Sequence, residues 1–409
     1  MTALNHALNH HQDSSGARPR VAIVGAGIVG IAHAWAAARR GWEVVLLERN
    51  RQAQGASIRN FGMVWPIGQE HGELYRTALE SRGLWLELAR ETGLWARPCG
   101  SLHLAYRDDE LAVFDEFAQM APAFDYDCRL IPPQEALKMS AAAKPDGLLA
   151  ALWSPTEVCV DPREIISKTP AWLEKRFGVE LRYDTAVEKI DSHGVTTGDG
   201  SRILADKVVV AAGTDFRYLY PEQFVDAGFR QCKLQMMRTP VQPHGWTLGP
   251  MLAGGLTLRH YEAFAQCPSL SALKARVAAE APELDKYGIH VMASQNGLGE
   301  VVLGDSHEYG DDVTPFDKRE IEELMLRELR KMIDLPDWTI QERWHGIYPK
   351  APGLIQFECQ PDPNVEVVIA SGGCGMTMSF GYANRLWNRW DTTEGRVHAA
   401  ANGRVESPA

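Results

Sequence analysis

The sequence predicts an α/β fold: a mostly parallel, Rossmann-like sheet assembled from distant parts of the chain, with an inserted α+β domain that carries an antiparallel sheet. Three observations predict it. The apolar run Val21-Ala22-Ile23-Val24 leads directly into Gly25-Ala26-Gly27-Ile28-Val29-Gly30 and then an Ala-rich stretch, the order strand, tight turn, helix. Lys207-Val208-Val209-Val210-Ala211 is a second buried-strand run and ends far downstream in Ala212-Gly213. Leu102 to Ala105, Met251 to Leu258 and His290 to Gly304 alternate with turn signals as antiparallel strands do.

A chain of 409 residues, 45% hydrophobic and 23% charged, has a globular composition and length for two or three domains. Its formal net charge of -11 repels phosphate backbones, and no Lys/Arg run is longer than Arg39-Arg40, so nucleic acid is not expected as a partner. Seven scattered cysteines, an odd number without a CxxC pair, suit free thiols and a cytoplasmic location. Residues 1–17 read as a loose polar tail in which His6, His10 and His11 are incidental, and no metal-ligating set is assigned. Val21 to Ala38 is apolar enough to suggest a membrane span, but Gly25, Gly27 and Gly30 divide it into strand and helix.

Each element has a local reason. Gly25 permits the turn, Gly27 admits a pyrophosphate against the backbone, and Gly30 lets the helix pack closely on the strand. The helix runs to about Arg40 with Gly41 as its C-cap, and Trp42 to Leu47 forms the next strand. Glu48 at that strand's end accepts hydrogen bonds from ribose hydroxyls and repels a 2′-phosphate, which fits FAD or NAD better than NADP. Thr185 to Ile190 reads as a strand, with a turn at Thr197 to Ser201 before Lys207 to Ala211. Asp317 to Met332 is an amphipathic helix with Ile321, Leu324, Met325 and Leu329 on one face. The strand Val365 to Ala370 ends at Gly372-Gly373-Cys374-Gly375, and a helix opens near Met376 with outward backbone N–H groups. Late strands returning after a long insertion favour FAD over a nicotinamide cofactor.

Several segments carry a resemblance. Gly55-Ala56-Ser57-Ile58-Arg59-Asn60-Phe61-Gly62-Met63-Val64-Trp65-Pro66 is similar to the GAS…GM…P segment of glycine oxidase and its relatives, and Ala205 to Gly213 to their ADxVVxAAG strand. Trp344-His345-Gly346-Ile347-Tyr348-Pro349 resembles WxGxRP, and Gly372 to Thr377 resembles the GGxGxT turn. The sequence therefore resembles the glycine/sarcosine/D-amino-acid oxidase superfamily, and the wording of Arg59 to Pro66 and Leu258 to Phe264 resembles its branch associated with aminophosphonate breakdown. The resemblance implies a discontinuous FAD domain (18–90, 150–216 and 338–398), a substrate domain (91–149 and 217–337) and a tail at 399–409. It implies FAD contacts at Gly25, Ala26, Gly27, Ile28, Val29, Gly30, Glu48, Arg49, Ser57, Asn60, Gly62, Met63, Val187, Ala212, Gly213, Gly373, Gly375, Met376 and Thr377. Sarcosine oxidases attach flavin through a cysteine in the segment matching Gly346 to Tyr348; none stands there, so non-covalent FAD is expected.

One departure bears on the substrate. In the resembled oxidases the arginine of WxGxRP clamps a carboxylate, and here that position is Tyr348. Tyr348 with Lys350 suits a tetrahedral anion or a longer substrate better than an α-carboxylate. The resemblance then implies 2-aminoethylphosphonate or its N-methyl derivative, losing hydride from the carbon beside the amine to flavin N5, with O2 or another acceptor. Arg59, Arg259, His260 and Lys350 are the candidate anion contacts, and Met63, Tyr261 and Tyr348 the candidate pocket walls. A carboxylate-type oxidase and an NAD-dependent dehydrogenase stay open as alternatives.

Overall fold

The computed structural model describes residues 18–402, with side chains through residue 392. The tail with His6, His10 and His11 lies outside the described residues, as do residues 403–409, while 399–402 form the end of the last helix, Gly375–Asn402.

Two sheets organise the chain. The first has six strands in the order Gln356–Asp362, Val365–Ala370, Lys207–Val210, β1 (Arg20–Val24), β2 (Glu43–Leu47) and Glu180–Arg182. All neighbours pair in parallel except the edge strand Gln356–Asp362. Burial on both faces explains the unbroken apolar runs. Val21, Ile23, Val44, Leu46 and Val209 pack on one side against helix α1 (Ile28–Arg39) and the Trp85, Phe380 and Trp387 rings. Ala22, Val24, Val45, Leu47, Val208 and Val210 face the opposite side, with Phe216, Phe224 and Phe229. The strand read at Thr185 to Ile190 is Val187–Asp191, which pairs antiparallel with Gly194–Thr197 in a separate three-stranded sheet. Only Val187 and Ile190 of this strand reach the core, with a register shift between Val187 and Lys189, and its other side chains are exposed.

The second sheet has nine strands and is antiparallel apart from the pairing of Met251–Gly254 with Ser101–Ala105. The expected strand Met251 to Leu258 is shorter, because the chain turns at Gly254-Gly255 into the tight helical turn Gly255–Arg259. His290 to Gly304 is a hairpin of Met292–Gln295 and Glu300–Gly304, and the amphipathic helix is Arg319–Met332. Two segments within the stretches assigned to the FAD domain pair in the second sheet: Ala150–Ser154 with Ser101–Ala105, and Glu342–Lys350 with Arg230–Val241. The latter carries the Trp344-to-Pro349 motif from one sheet across to the mouth of the other.

Two histidines are buried without compensation. His103 lies among Trp65, Phe114 and Phe264 with neither ring nitrogen hydrogen-bonded, and His33 sits inside α1 with Nδ1 unpartnered. Burial pulls both down from 6.5 to about 3. Below the unfolded value the unfolded chain takes up protons that the folded chain refuses, so stability falls as pH drops from 6.5 towards 3. Each histidine costs roughly 2 kcal/mol by about pH 5. His103→Phe is expected to reduce the loss of stability between neutral pH and about pH 5 by roughly 2 kcal/mol in urea unfolding; an unchanged pH slope would refute it.

Candidate active site

A cavity of ≈ 590 Å³ opens at the carboxyl ends of the parallel strands, where doubly wound sheets place ligands. Its floor is Val24, Gly25, Gly27, Ile28 and Val29, one side is Glu48 to Asn50, and the strand segment Gly346 to Pro349 closes the other. A side chain at Gly25, which has φ +103°, would meet the Ala211 carbonyl oxygen at 2.5 Å, so the turn is pressed against the neighbouring strand. Ser57 Oγ accepts from the Ile28 N–H at 2.9 Å and so caps α1. Glu48 is anchored through the Ala26 N–H at 3.1 Å and through Asn50, whose backbone N–H and side-chain amide both donate at 3.1 Å. At the far end, Gly373, Gly375 and Met376 open the Gly375–Asn402 helix toward the cavity with the free N–H groups of a first turn.

These features fit a dinucleotide with an electron-accepting ring. A carboxylate at a strand end takes ribose hydroxyls, the glycine turn admits pyrophosphate, and the helix start favours the ring edge where negative charge develops. Gly25, Gly27, Ile28, Val29, Glu48, Arg49, Ser57, Asn60, Val187, Ala212, Gly213, Gly373, Gly375 and Met376 all line the cavity. Arg49 does so while paired with Asp215. Asn60 has committed its polar atoms to the loop, donating to the Ala56 and Ser57 carbonyls and accepting from the Gly62 N–H, so it shapes the wall. Ala26, Gly30, Gly62, Met63 and Thr377 are not in the lining. Met63 belongs to the core, and Thr377 Oγ1 accepts from the Trp65 N–H at 2.9 Å. Glu48→Gln is expected to weaken FAD binding about tenfold by removing the charge from a ribose acceptor; unaltered retention of flavin through gel filtration and titration would refute it.

The substrate-side candidates divide. Tyr348 lines the cavity, packs against Gly373, and is held protonated because burial pushes its phenol well above the ordinary value. Arg59 also lines it and donates to the His345 carbonyl at 3.1 Å. Lys350 sits at the end of the same strand as Tyr348 with Nζ against Gly372; among the described residues its ammonium has no hydrogen bond or ion pair. Arg259 does not serve as expected: its fork is spent on Asp285 and on the Ile289 and Leu256 carbonyls. Tyr261 packs behind the wall against Trp65 and Gly68, outside the cavity lining.

His260 is joined by two residues that the sequence reading missed, His290 and His307. Burial drives His260 well below its ordinary value and lowers His307. Asp305 lies 2.9 Å from His290 Nε2. Burial opposes its charge, but His290 and His307 keep its carboxyl below the ordinary range. Cys374 hydrogen-bonds to the Ser371 carbonyl, and burial raises its thiol to about 12, which disfavours the thiolate that covalent attachment needs.

A match to the DAO family, described as FAD dependent oxidoreductase, covers residues 20–388. The chain belongs to this family. FAD is therefore its cofactor and the nicotinamide alternative falls. This DAO-family chain is 26% identical over 216 residues to the tRNA 5-methylaminomethyl-2-thiouridine biosynthesis bifunctional protein MnmC of Hahella chejuensis, covering 49% of this chain and 33% of that protein. It thus spans about a third of the length of that relative. It is 26% identical over 146 residues to human mitochondrial sarcosine dehydrogenase, covering 35% of this chain and 16% of that one. Glycine oxidase from Bacillus cereus superposes with a TM-score of 0.72 at 17% identity, over 93% of this chain and 96% of that one, a likeness of fold. No helix among the described residues is long and apolar enough to cross a membrane.

Proposed function

We propose that this chain oxidises an amine whose far end is a tetrahedral anion, 2-aminoethylphosphonate or its N-methyl derivative, to phosphonoacetaldehyde and the free amine. The observation that carries the reading is Lys350, a cation without a hydrogen-bond or ion-pair partner among the described residues, beside the Gly372 turn and on the same strand as Tyr348, which replaces the carboxylate-clamping arginine of the resembled oxidases. A compact ammonium and a neutral phenol match the several oxygens of a phosphonate better than the planar fork of an α-carboxylate.

FAD bound in the cavity supplies the acceptor for hydride leaving the carbon beside the amine. The chain supplies position and dryness. Tyr348, Ile347 and Leu234 wall the cavity, and Tyr348 keeps its proton and can donate one hydrogen bond. A neutral amine needs no protein base to lose hydride, and the imine so formed takes up water to give aldehyde and amine. Electrons leave to O2 or another acceptor.

Anaerobic bleaching of the flavin by glycine, sarcosine, a D-amino acid, 2-aminoethylphosphonate and its N-methyl derivative tests this. The phosphonates are expected to bleach it about tenfold faster or more than the α-amino acids. Bleaching by the α-amino acids alone would overturn the assignment.

A further inference from the structure

Behind Tyr348, three imidazoles from separate segments converge. His260 follows the Gly255–Arg259 turn, while His290 and His307 lie on either side of the Met292–Gln295 and Glu300–Gly304 hairpin. One nitrogen from each lies within 4.8 Å of the others. The rings are nearly parallel, with centroids 4.3, 5.1 and 5.0 Å apart, and the His307 ring stands 6.3 Å from that of Tyr348.

A neighbour fixes one tautomer. His307 Nδ1 lies 3.0 Å from the Gly288 carbonyl, which only accepts, so the proton is on Nδ1 and Nε2 keeps a lone pair. Asp305 Oδ1 lies 2.9 Å from His290 Nε2 as an ion-pair contact and makes no hydrogen bond of its own. His290 Nδ1 is buried without a partner, and so is His260 Nε2. Two buried ring nitrogens left unsatisfied are unfavourable, and a packed apolar trio would avoid that. Carboxylate and carbonyl groups behind the imidazoles are the outer support that metal-ligating histidines have.

We propose that His260, His290 and His307 bind one divalent transition-metal ion, zinc being the best match, and that this ion and Lys350 together hold the substrate's tetrahedral anion. Three imidazole donors suit zinc, copper, nickel or cobalt and not magnesium or calcium, and three protein ligands leave a position for an outside oxygen. Lys350 has its Nζ against Gly372, next to the Gly373 on which Tyr348 packs, and the His307 ring lies on that same Tyr348. A metal cation next to an unpaired ammonium is repelled unless an anion joins them, and a phosphonate offers one oxygen to each. The metal half stands on the histidines alone; the anion half rests on the phosphonate reading.

The test uses the FAD-loaded protein, treated with chelator, reloaded with zinc and passed through gel filtration. Elemental analysis is expected to find one zinc per chain. His290→Ala and His307→Ala should lose it, and Asp305→Asn should weaken it about ten- to hundredfold with flavin retained. His193→Ala, at an exposed histidine, should keep it. Failure of the wild-type holoprotein to retain zinc, or full retention by the His290→Ala, His307→Ala double variant, would overturn the site. With cobalt in place of zinc, methylphosphonate, which has the anion but no amine, is expected to shift the metal absorption to the red of the flavin bands. A silent spectrum would overturn the anion half while the metal half stood. Flavin bleaching by 2-aminoethylphosphonate in metal-free enzyme at the full rate would sink the anion half and leave the proposed function intact.

Discussion

Gly30→Ala is expected to yield a colourless protein. A Cβ at Gly30 would stand 1.8 Å from the Gly25 carbonyl oxygen, and since the Cβ is fixed by its Cα and the oxygen belongs to backbone, no rotamer change can relieve the clash. Helix α1 would have to lift from β1. Ile23, whose Cγ2 would lie 3.5 Å away, would lose its packing, and the turn that cradles the dinucleotide would be dragged out of register. Overpacking of this kind costs about 1–3 kcal/mol where side chains can shift, so about 3 kcal/mol or more is expected here. FAD retention should fall at least about a hundredfold, since the displaced turn carries the pyrophosphate contacts. The ratio of flavin to protein absorbance and the thermal unfolding midpoint check this. Wild-type colour together with an unshifted midpoint would mean that the helix does not need its close approach.

That prediction was accessible from sequence because the turn is local: strand, glycines, helix and Glu48 lie within thirty residues, and their spacing encodes the geometry. The Gly372 to Met376 turn was legible for the same reason. What the sequence did not carry was long-range. His260, His290 and His307 are thirty and seventeen residues apart, on a turn and two flanks of a hairpin, with no shared motif. Only the pairing of Met292–Gln295 with both Met251–Gly254 and Glu300–Gly304 brings them together. Arg259 misled for the complementary reason. An arginine next to candidate pocket residues looks available, and its neutralisation by Asp285 becomes visible only once the chain is folded. Met63 and Tyr261 show the same limit for apolar positions, since a wall residue and a core residue have the same composition and differ only in what lies beyond them.

Lys350→Met should lower kcat/KM for 2-aminoethylphosphonate about ten- to hundredfold, the value of one charge-assisted hydrogen bond of about 1.5–3 kcal/mol. The aliphatic stem is kept, so its packing against Gly372 is retained and the loss isolates the charge. Most of the change should fall in KM, because the anion is bound equally in the ground and transition states and lies away from the carbon that reacts. Flavin content should be unaltered, since Lys350 is not in the cavity lining. Lys350→Arg should recover part of the loss, its guanidinium still meeting phosphonate oxygens. An amine with no anionic tail should be oxidised equally by wild type and Lys350→Met, which separates a lost anchor from a damaged fold. Equal kcat/KM for the phosphonate in both proteins would remove Lys350 from the site. The tetrahedral-anion reading would go with it, because among the cations expected to serve it Arg259 is committed elsewhere and Arg59 already donates to the His345 carbonyl.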